Sequence, residues 1–410
     1  MPEPAPIEPS LGKGDKDTPP CAAALCGGVF WMLRQREQQS KIIPPVAAPS
    51  EPLHHIAWSD VTDAAPITVE LGYGLVDLVD DRKGAPLMGR ITGIRRQLSR
   101  ELGFVLPLVK VKDNLSLDGN AYRITISGVV MGEDMVHPRD LLALDSGECE
   151  TRLTGHAVKD PCFGLDAVWI DPSQRDHART LGYTVVDGST AISTHLNKVL
   201  RENAADLISH DDTQQLLDKL AAKSPKLVED LVPGKLSLGA LTRVLQQLLS
   251  ESVSIRDIRT IAETLADATG RTTDPEQLTA VVRPKLGRMI MQSLIDEQSN
   301  LSVMTLEPGL EQLLHNVLQQ SQPGQPVVLE PNLSESLFAS LRAGCRFLEE
   351  EGHPAVLVVS PLIRGWLAKA AKQRVNDLTV LSYSEIPDDQ AVKVIHTVDV
   401  KSRKADDELN

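Results

Sequence analysis

The chain has 410 residues, 41% of them hydrophobic and 24% charged, with a formal net charge of -14 at pH 7. That length exceeds what one hydrophobic core usually covers, so several domains are expected, and the acidic balance argues against nucleic acid as a partner. Aromatic residues make up only 3% of the chain, so its cores must be aliphatic.

Residues 1–20 are rich in proline and read as a disordered N-terminus. The apolar run CAAALCGGVFWML (21–33) is shorter than the roughly 20 residues of a spanning helix, and no basic region precedes it as a signal peptide requires. It reads as a remnant of a transmembrane helix or an interfacial segment giving a membrane contact, with a mobile apolar tail as the alternative. Residues 34–65, which include EQQSKIIPPVAAPSEP, read as a linker, and Trp58 stands alone there in polar surroundings.

Alternating apolar residues predict a strand in ITVELGYGLVDLVD (67–80). In MGRITGIRRQLSRELG (88–103), Ile91, Ile94, Leu98 and Leu102 recur at helical spacing and Gly103 stands where a C-cap belongs. VLPLVKVKDNL and AYRITISGVVMG predict two strands around the turn-rich LSLDGN. Residues 139–187 read as a small β-rich insertion with DLLALD, AVWI and YTVVD as strands. Ser189 or Thr190 is then expected to cap the amphipathic helix STAISTHLNKVLRENAADLI.

From 211 to 294 the pattern is helical throughout, with Pro284 expected to kink or split the last helix. The remaining chain predicts PVVLEP (326–331) as a strand, then helix, strand (355–360), helix and two further strands, before a tail at 401–410 that frays. The fold class is α+β and multidomain. A ferredoxin-like α/β domain (66–138 with 188–207) carries the small β-rich insertion (139–187), followed by an all-helical domain (208–287) and an α/β domain (288–400).

No enzyme motif completes itself. Gly234 and Lys235 have Glu229 where a P-loop needs glycine and Leu236 where it needs a hydroxyl; the GYG at 72–74 has Asp77 in place of a third glycine. The five cysteines form no CxxC, which argues against a disulfide framework or a thiolate zinc site, and no HExxH or GxSxG occurs. No catalytic residue, metal or cofactor is expected; an unrecognised hydrolase, whose residues would assemble across the sequence, and a non-productive fragment are the alternatives.

KDPCFGLDAVWI (159–170) places Phe163 between Pro161 and Gly164. A large aromatic usually packs in a core, yet a turn can also present one as a recognition knob. Asp160 suits either the capping of local N–H groups or a polar partner group, and Cys162 reads as a small hydrophobe.

VELGYGLVDLVD, GRITGIRRQLSRELGFVLPLVKVKDNL, DPCFGLDAVWI, GYTVVDGSTAISTHL, PKLVEDLVPGKLSLGALTRVLQQLLSESVSIRDIRTIAETLAD and DPEQLTAVVRPKLGRMI occur in this order. Block by block they resemble the cytoplasmic half of the FHIPEP/LcrD/InvA family, the export-gate proteins of type III secretion, with DP-x-FGL-x-A-x-W-I favouring the flagellar branch over the injectisome branch. The resemblance implies a four-part cytoplasmic platform at the face of the bacterial inner membrane, without the membrane half, of which residues 21–33 look like the last helix. It implies a homo-oligomeric, nonameric ring that binds flagellar export chaperones with their substrates, works with other export-apparatus proteins and catalyses nothing. It implies Asp160, Phe163 and Thr194 at an apolar chaperone-binding dimple, with Leu165 and Val186 as its wall. Trp58 matches a linker contact with a neighbouring subunit and Gly72 a hinge. Under this resemblance Phe163 becomes the anchor of a helix-in-groove contact.

Overall fold

Strand β1 (Ile67–Leu71) is buried at every position and is central in its sheet, between two neighbours: β2 (Val109–Asp113) runs parallel to it and β3 (Ala121–Ile126) antiparallel. A computed structural model describes residues 65–80, 85–145, 147, 152–295, 300–320, 327, 329–375 and 377–400. The apolar run at 21–33, the linker up to residue 64 with Trp58, and the tail 401–410 lie outside the described residues.

The predicted strand 67–80 stops at Leu71; a 3-10 turn, Tyr73–Leu78, follows it. The reason is steric. A Cβ on Gly72 would sit 2.1 Å from the carbonyl oxygen of Asp118, so the chain turns where the 118–119 backbone presses against it. Helix α1 (Pro86–Leu102) crosses from β1 to β2, burying Leu87, Ile91, Leu98 and Leu102, and ends at Gly103 with φ +100°. AYRITISGVVMG is two strands, because Ser127 (φ +49°) and Gly128 (φ +82°) turn the chain between β3 and β4 (Val129–Met135). The sheet order β2-β1-β3-β4 departs from the ferredoxin-like expectation. In that fold a third strand separates the two strands of the βαβ crossover, whereas here β1 and β2 pair directly.

The insertion is a four-stranded antiparallel sheet in the order β6-β7-β5-β8, built from β5 (Leu141–Leu144), β6 (His156–Lys159), β7 (Asp166–Ile170) and β8 (Thr184–Asp187). With a short helix α2 (Arg175–Thr180) it closes over Ala143, Ile170, Ala178 and Tyr183. β8 leads straight into α3 (Gly188–Glu202), whose cap is Asp187, accepting the N–H of Thr190 at 2.8 Å. Ser189 and Thr190 therefore lie inside the first turn rather than at the cap.

The helical segment comprises α4 (Ala204–Leu207), α5 (His210–Ala221), α6 (Pro225–Glu229), α7 (Leu238–Ser250), α8 (Ile258–Ala268), α9 (Pro275–Lys285) and α10 (Gly287–Leu294). Its aliphatic stripes share one core with the first sheet, and the N–H of Ile255 donates to the carbonyl of Leu102 at 2.8 Å, tying the segment to the end of α1. Pro284 is accommodated inside α9. The break comes after Leu286, where a Cβ on Gly287 would meet the Glu385 carbonyl oxygen at 2.2 Å.

The C-terminal sheet is parallel, ordered β11-β10-β9-β12 from β9 (Leu301–Leu306), β10 (Val356–Val359), β11 (Thr379–Ser382) and β12 (Val392–Val398). Helices α11 (Pro308–Gln320), α12 (Pro331–Glu350) and α13 (Pro361–Lys372) contribute to a separate core on one face. The sequence reading put the first strand at 326–331; it is Leu301–Leu306, and Pro331 instead opens α12 in the first-turn position that proline favours. Among the described residues no helix is long and apolar enough to cross a membrane.

Candidate functional site

The loop joining β6 to β7 is closed by its own backbone. The N–H of Asp160 donates to the carbonyl of Leu165 and that of Gly164 to the carbonyl of Asp160, both at 2.9 Å, and Gly164 adopts φ +68°. The Asp160 side chain faces inward, only 5% exposed, where one carboxylate oxygen accepts the N–H groups of Cys162 (3.0 Å) and Phe163 (2.7 Å). Of the two roles open to Asp160 from sequence, the structure shows the local cap.

With the carboxylate, Cys162 and the backbone turned inward, the Phe163 ring points outward and is 68% exposed; Leu165 beside it is 37% exposed. Full burial of such a ring is worth about 1.5 to 3 kcal/mol. A turn that holds it in water forgoes much of that gain.

Helix α3 passes beneath the loop. Lys198 donates from Nζ to the carbonyl of Cys162, joining the inserted sheet to a helix of the first layer, and Thr194 lies one turn earlier on α3, half-buried. Val186 lies on β8 opposite Leu142 and is half-buried against the main core. Asp160, Phe163, Leu165 and Thr194 thus belong to a loop and a helix that Lys198 ties together, while Val186 faces the core.

At the seam between the two sheets lies a cavity of about 20 Å³ lined by Tyr122, Asp134, Val136, Asp160, Pro161 and Trp169 among others. Phe163, Leu165, Thr194 and Val186 do not line it. This space suits a single water rather than a side chain, so any binding at the loop uses the outer surface.

Burial shifts the ionisation of the groups below the loop. Burial pushes the Cys162 thiol up to about 12, with Asp160 adding to it, and burial also raises Tyr122 and Asp134. Burial lowers His195, whose Nδ1 lies 2.7 Å from the Tyr122 hydroxyl. A thiol in that state is a poor nucleophile at neutral pH. Lys235, the P-loop-like lysine, is engaged with Asp230 at 2.7 Å and with the carbonyl of Ala266 at 3.2 Å. Among the described residues no group of three or more His, Cys, Asp or Glu side chains could hold a metal.

A second feature is not visible from the order of residues along the chain. α1 and α5 bound an open cleft of about 680 Å³ where Arg95, Arg96, Arg100, Lys219 and Arg256 gather around Phe104, Val105 and Leu216, with Asp212 the acid among its lining. Arg95 is committed to the carbonyls of Pro107 and Leu106, at 2.8 and 2.9 Å. The helical spacing of Arg96 and Arg100 was a usable signal; the arrival of Lys219 and Arg256 was not.

Comparison with known proteins gives this geometry a context. A flagellar biosynthesis protein FlhA of Yersinia enterocolitica is 40% identical over 372 residues, 90% of this chain and 53% of that protein, so the chain spans about half the length of this relative. The CdsV protein of Chlamydia pneumoniae superimposes with a TM-score of 0.73 at 21% identity, covering 82% of this chain and 99% of that one. The nonameric SctV-C of EPEC does so with a TM-score of 0.65 at 23% identity, covering 84% and 100%. At those identities the likeness is one of fold. The FHIPEP family profile matches residues 19–391, and the chain therefore belongs to the FHIPEP family.

Proposed function

We propose that the chain is a cytoplasmic docking platform of the flagellar type III protein export apparatus, at the cytoplasmic face of the bacterial inner membrane. It binds export chaperones carrying their substrates and passes them to the export gate. Family membership and the flagellar name of its relative support the setting; the observation that carries the docking role is Phe163, exposed on a loop whose conformation is fixed from within. A pre-ordered aromatic loses little freedom when a partner covers it, which is what a binding anchor needs.

In this reading Phe163 and Leu165 form the apolar contact, Thr194 borders it on α3, Asp160 holds the loop and Val186 backs it from β8. Gly72, where β1 ends, is assigned the hinge between domains. No bond is made or broken.

The chain is also proposed to assemble as a ring, as the nonameric SctV-C does. Segment 51–60, EPLHHIAWSD, brings Trp58 with flanking acids, the chemistry that the basic, partly apolar cleft of a neighbouring copy would take. A photoreactive phenylalanine analogue at position 163 tests the docking role: it should crosslink to a flagellar export chaperone, whereas the same analogue at Phe347, an exposed aromatic on α12, should not. Crosslinking from neither position, or from both equally, contradicts the assignment.

A further inference from the structure

The cleft between α1 and α5 holds positive charge that the fold does not neutralise. Arg90 of α1 pairs with Asp187 at 3.3 Å. Further along the same helix, Arg96 and Arg100 have no carboxylate within ion-pairing distance among the described residues, and neither do Lys219 and Arg256. The neighbouring acids are engaged by other donors. Glu101, the one acid of α1, is bound by Arg201 at 2.5 Å and by Gln97 at 2.8 Å. Asp212, in the lining of the cleft, accepts the N–H and the hydroxyl of Ser209 at 2.9 and 2.6 Å. In a chain of net charge -14, unpaired cations gathered in one concavity run against the composition.

These cations stand on ordered supports. Arg96 and Arg100 are four residues apart on α1, a spacing at which like charges repel and weaken a helix. Arg256 is placed by its backbone: the N–H of Ile255 donates to the Leu102 carbonyl at 2.8 Å, and a Cβ on Gly103 would lie 2.3 Å from the Arg256 nitrogen. Glycine at the end of α1 therefore lets the second segment come close enough to add its arginine. Arg95, fixed by the carbonyls of Pro107 and Leu106, contributes a further charge.

This arrangement selects a ligand by its chemistry. A concave surface lined by one sign of charge concentrates the field and draws in the opposite sign, and guanidinium groups match phosphate oxygens with paired N–H donors. A lone phosphate cannot meet cations spread over two helices and a loop, whereas a chain of phosphates can. The volume of about 680 Å³ lies within the range of small-molecule sites. We propose that the cleft is a binding site for a soluble oligophosphate, either an inorganic chain or the phosphates of a nucleotide. This goes beyond the ring contact assigned above to the same cleft, where an oligophosphate would compete with the acidic segment of a neighbouring copy.

Calorimetric titration of the full chain with sodium tripolyphosphate tests the proposal. The account predicts saturable binding that added salt weakens and that Arg96→Gln with Arg256→Gln weakens at least about tenfold. Both side chains are exposed, so the thermal midpoint should match that of the parent chain. Lys226→Gln with Arg271→Gln removes two exposed cations outside the cleft and should leave binding unchanged. Adenosine triphosphate separates the two sources: tighter binding than tripolyphosphate identifies a nucleotide, equal binding the inorganic chain. Vesicles of phosphatidylglycerol serve as the third probe. No binding of tripolyphosphate, equal weakening by the two pairs of substitutions, or binding to the vesicles alone would each overturn the proposal. Tripolyphosphate that binds without reducing self-association supports the site and contradicts the ring contact alone.

Discussion

The backbone N–H of Phe163 donates to the Asp160 carboxylate at 2.7 Å, so a buried acid fixes the conformation of the residue that carries the exposed ring. Removing the acid should loosen the ring without touching it. Asp160→Ala leaves the N–H groups of Cys162 and Phe163 without their acceptor and should destabilise the chain by about 1 to 3 kcal/mol. Asp160→Asn retains one acceptor oxygen and should cost less. Urea unfolding of the two variants checks the order, and the order reversed would mean that the carboxylate does not hold the loop.

Two glycines should respond to alanine for different reasons. Gly164 has open space where a Cβ would lie but a φ of +68°, so Gly164→Ala should cost about 1 to 2 kcal/mol of backbone strain. Gly72 has an ordinary φ of -64°, but its Cβ would lie 2.1 Å from a backbone oxygen, and Gly72→Ala should cost about 2 to 3 kcal/mol or more. Denaturation midpoints compared at one pH separate the two.

How much of this was legible in sequence differs from feature to feature. α1 was readable because its apolar spacing and its terminal Gly103 agree on one helix. The turn at 160–164 was readable from Pro161 and Gly164, but not the direction of its side chains, since that depends on the Asp160 carboxylate facing inward. β9 was missed because a short apolar run buried on both faces lacks alternation. The cationic cleft was invisible because residues far apart in sequence build it, and only packing brings Lys219 and Arg256 to α1.

The buried thiols set an alkaline limit. Burial pushes Cys162 from its ordinary 9.0 up to about 12 and Cys345 up to about 11. Above pH 9 the unfolded chain releases these protons while the folded chain retains them, so the folded state binds more protons and stability falls as pH rises. The contribution is fully present below 9 and is lost progressively as pH passes through the folded values. Urea unfolding between about pH 8 and 11 should show this decline, reduced by Cys162→Ala. Peptide mapping after brief alkylation at neutral pH should find Cys162 and Cys345 unmodified in the folded chain, since both are buried.

The basic cleft should govern self-association. Arg96→Glu with Arg256→Glu removes two exposed cations from its lining and should reduce assembly measured by sedimentation, leaving thermal stability nearly unchanged. Added salt should weaken assembly of the parent chain in the same direction, because exposed charges are screened beyond about 10 Å at 0.1 M. Assembly indifferent to both would place the ring contact elsewhere.

The central claim is that the Phe163 ring is a docking anchor, and calorimetric titration of the Phe163→Ala chain with a flagellar export chaperone tests it most directly. The account predicts binding weaker by about 1 to 3 kcal/mol, with the thermal midpoint unchanged because the ring contributes little to the folded core. Undiminished affinity, or a variant that no longer folds, would contradict it.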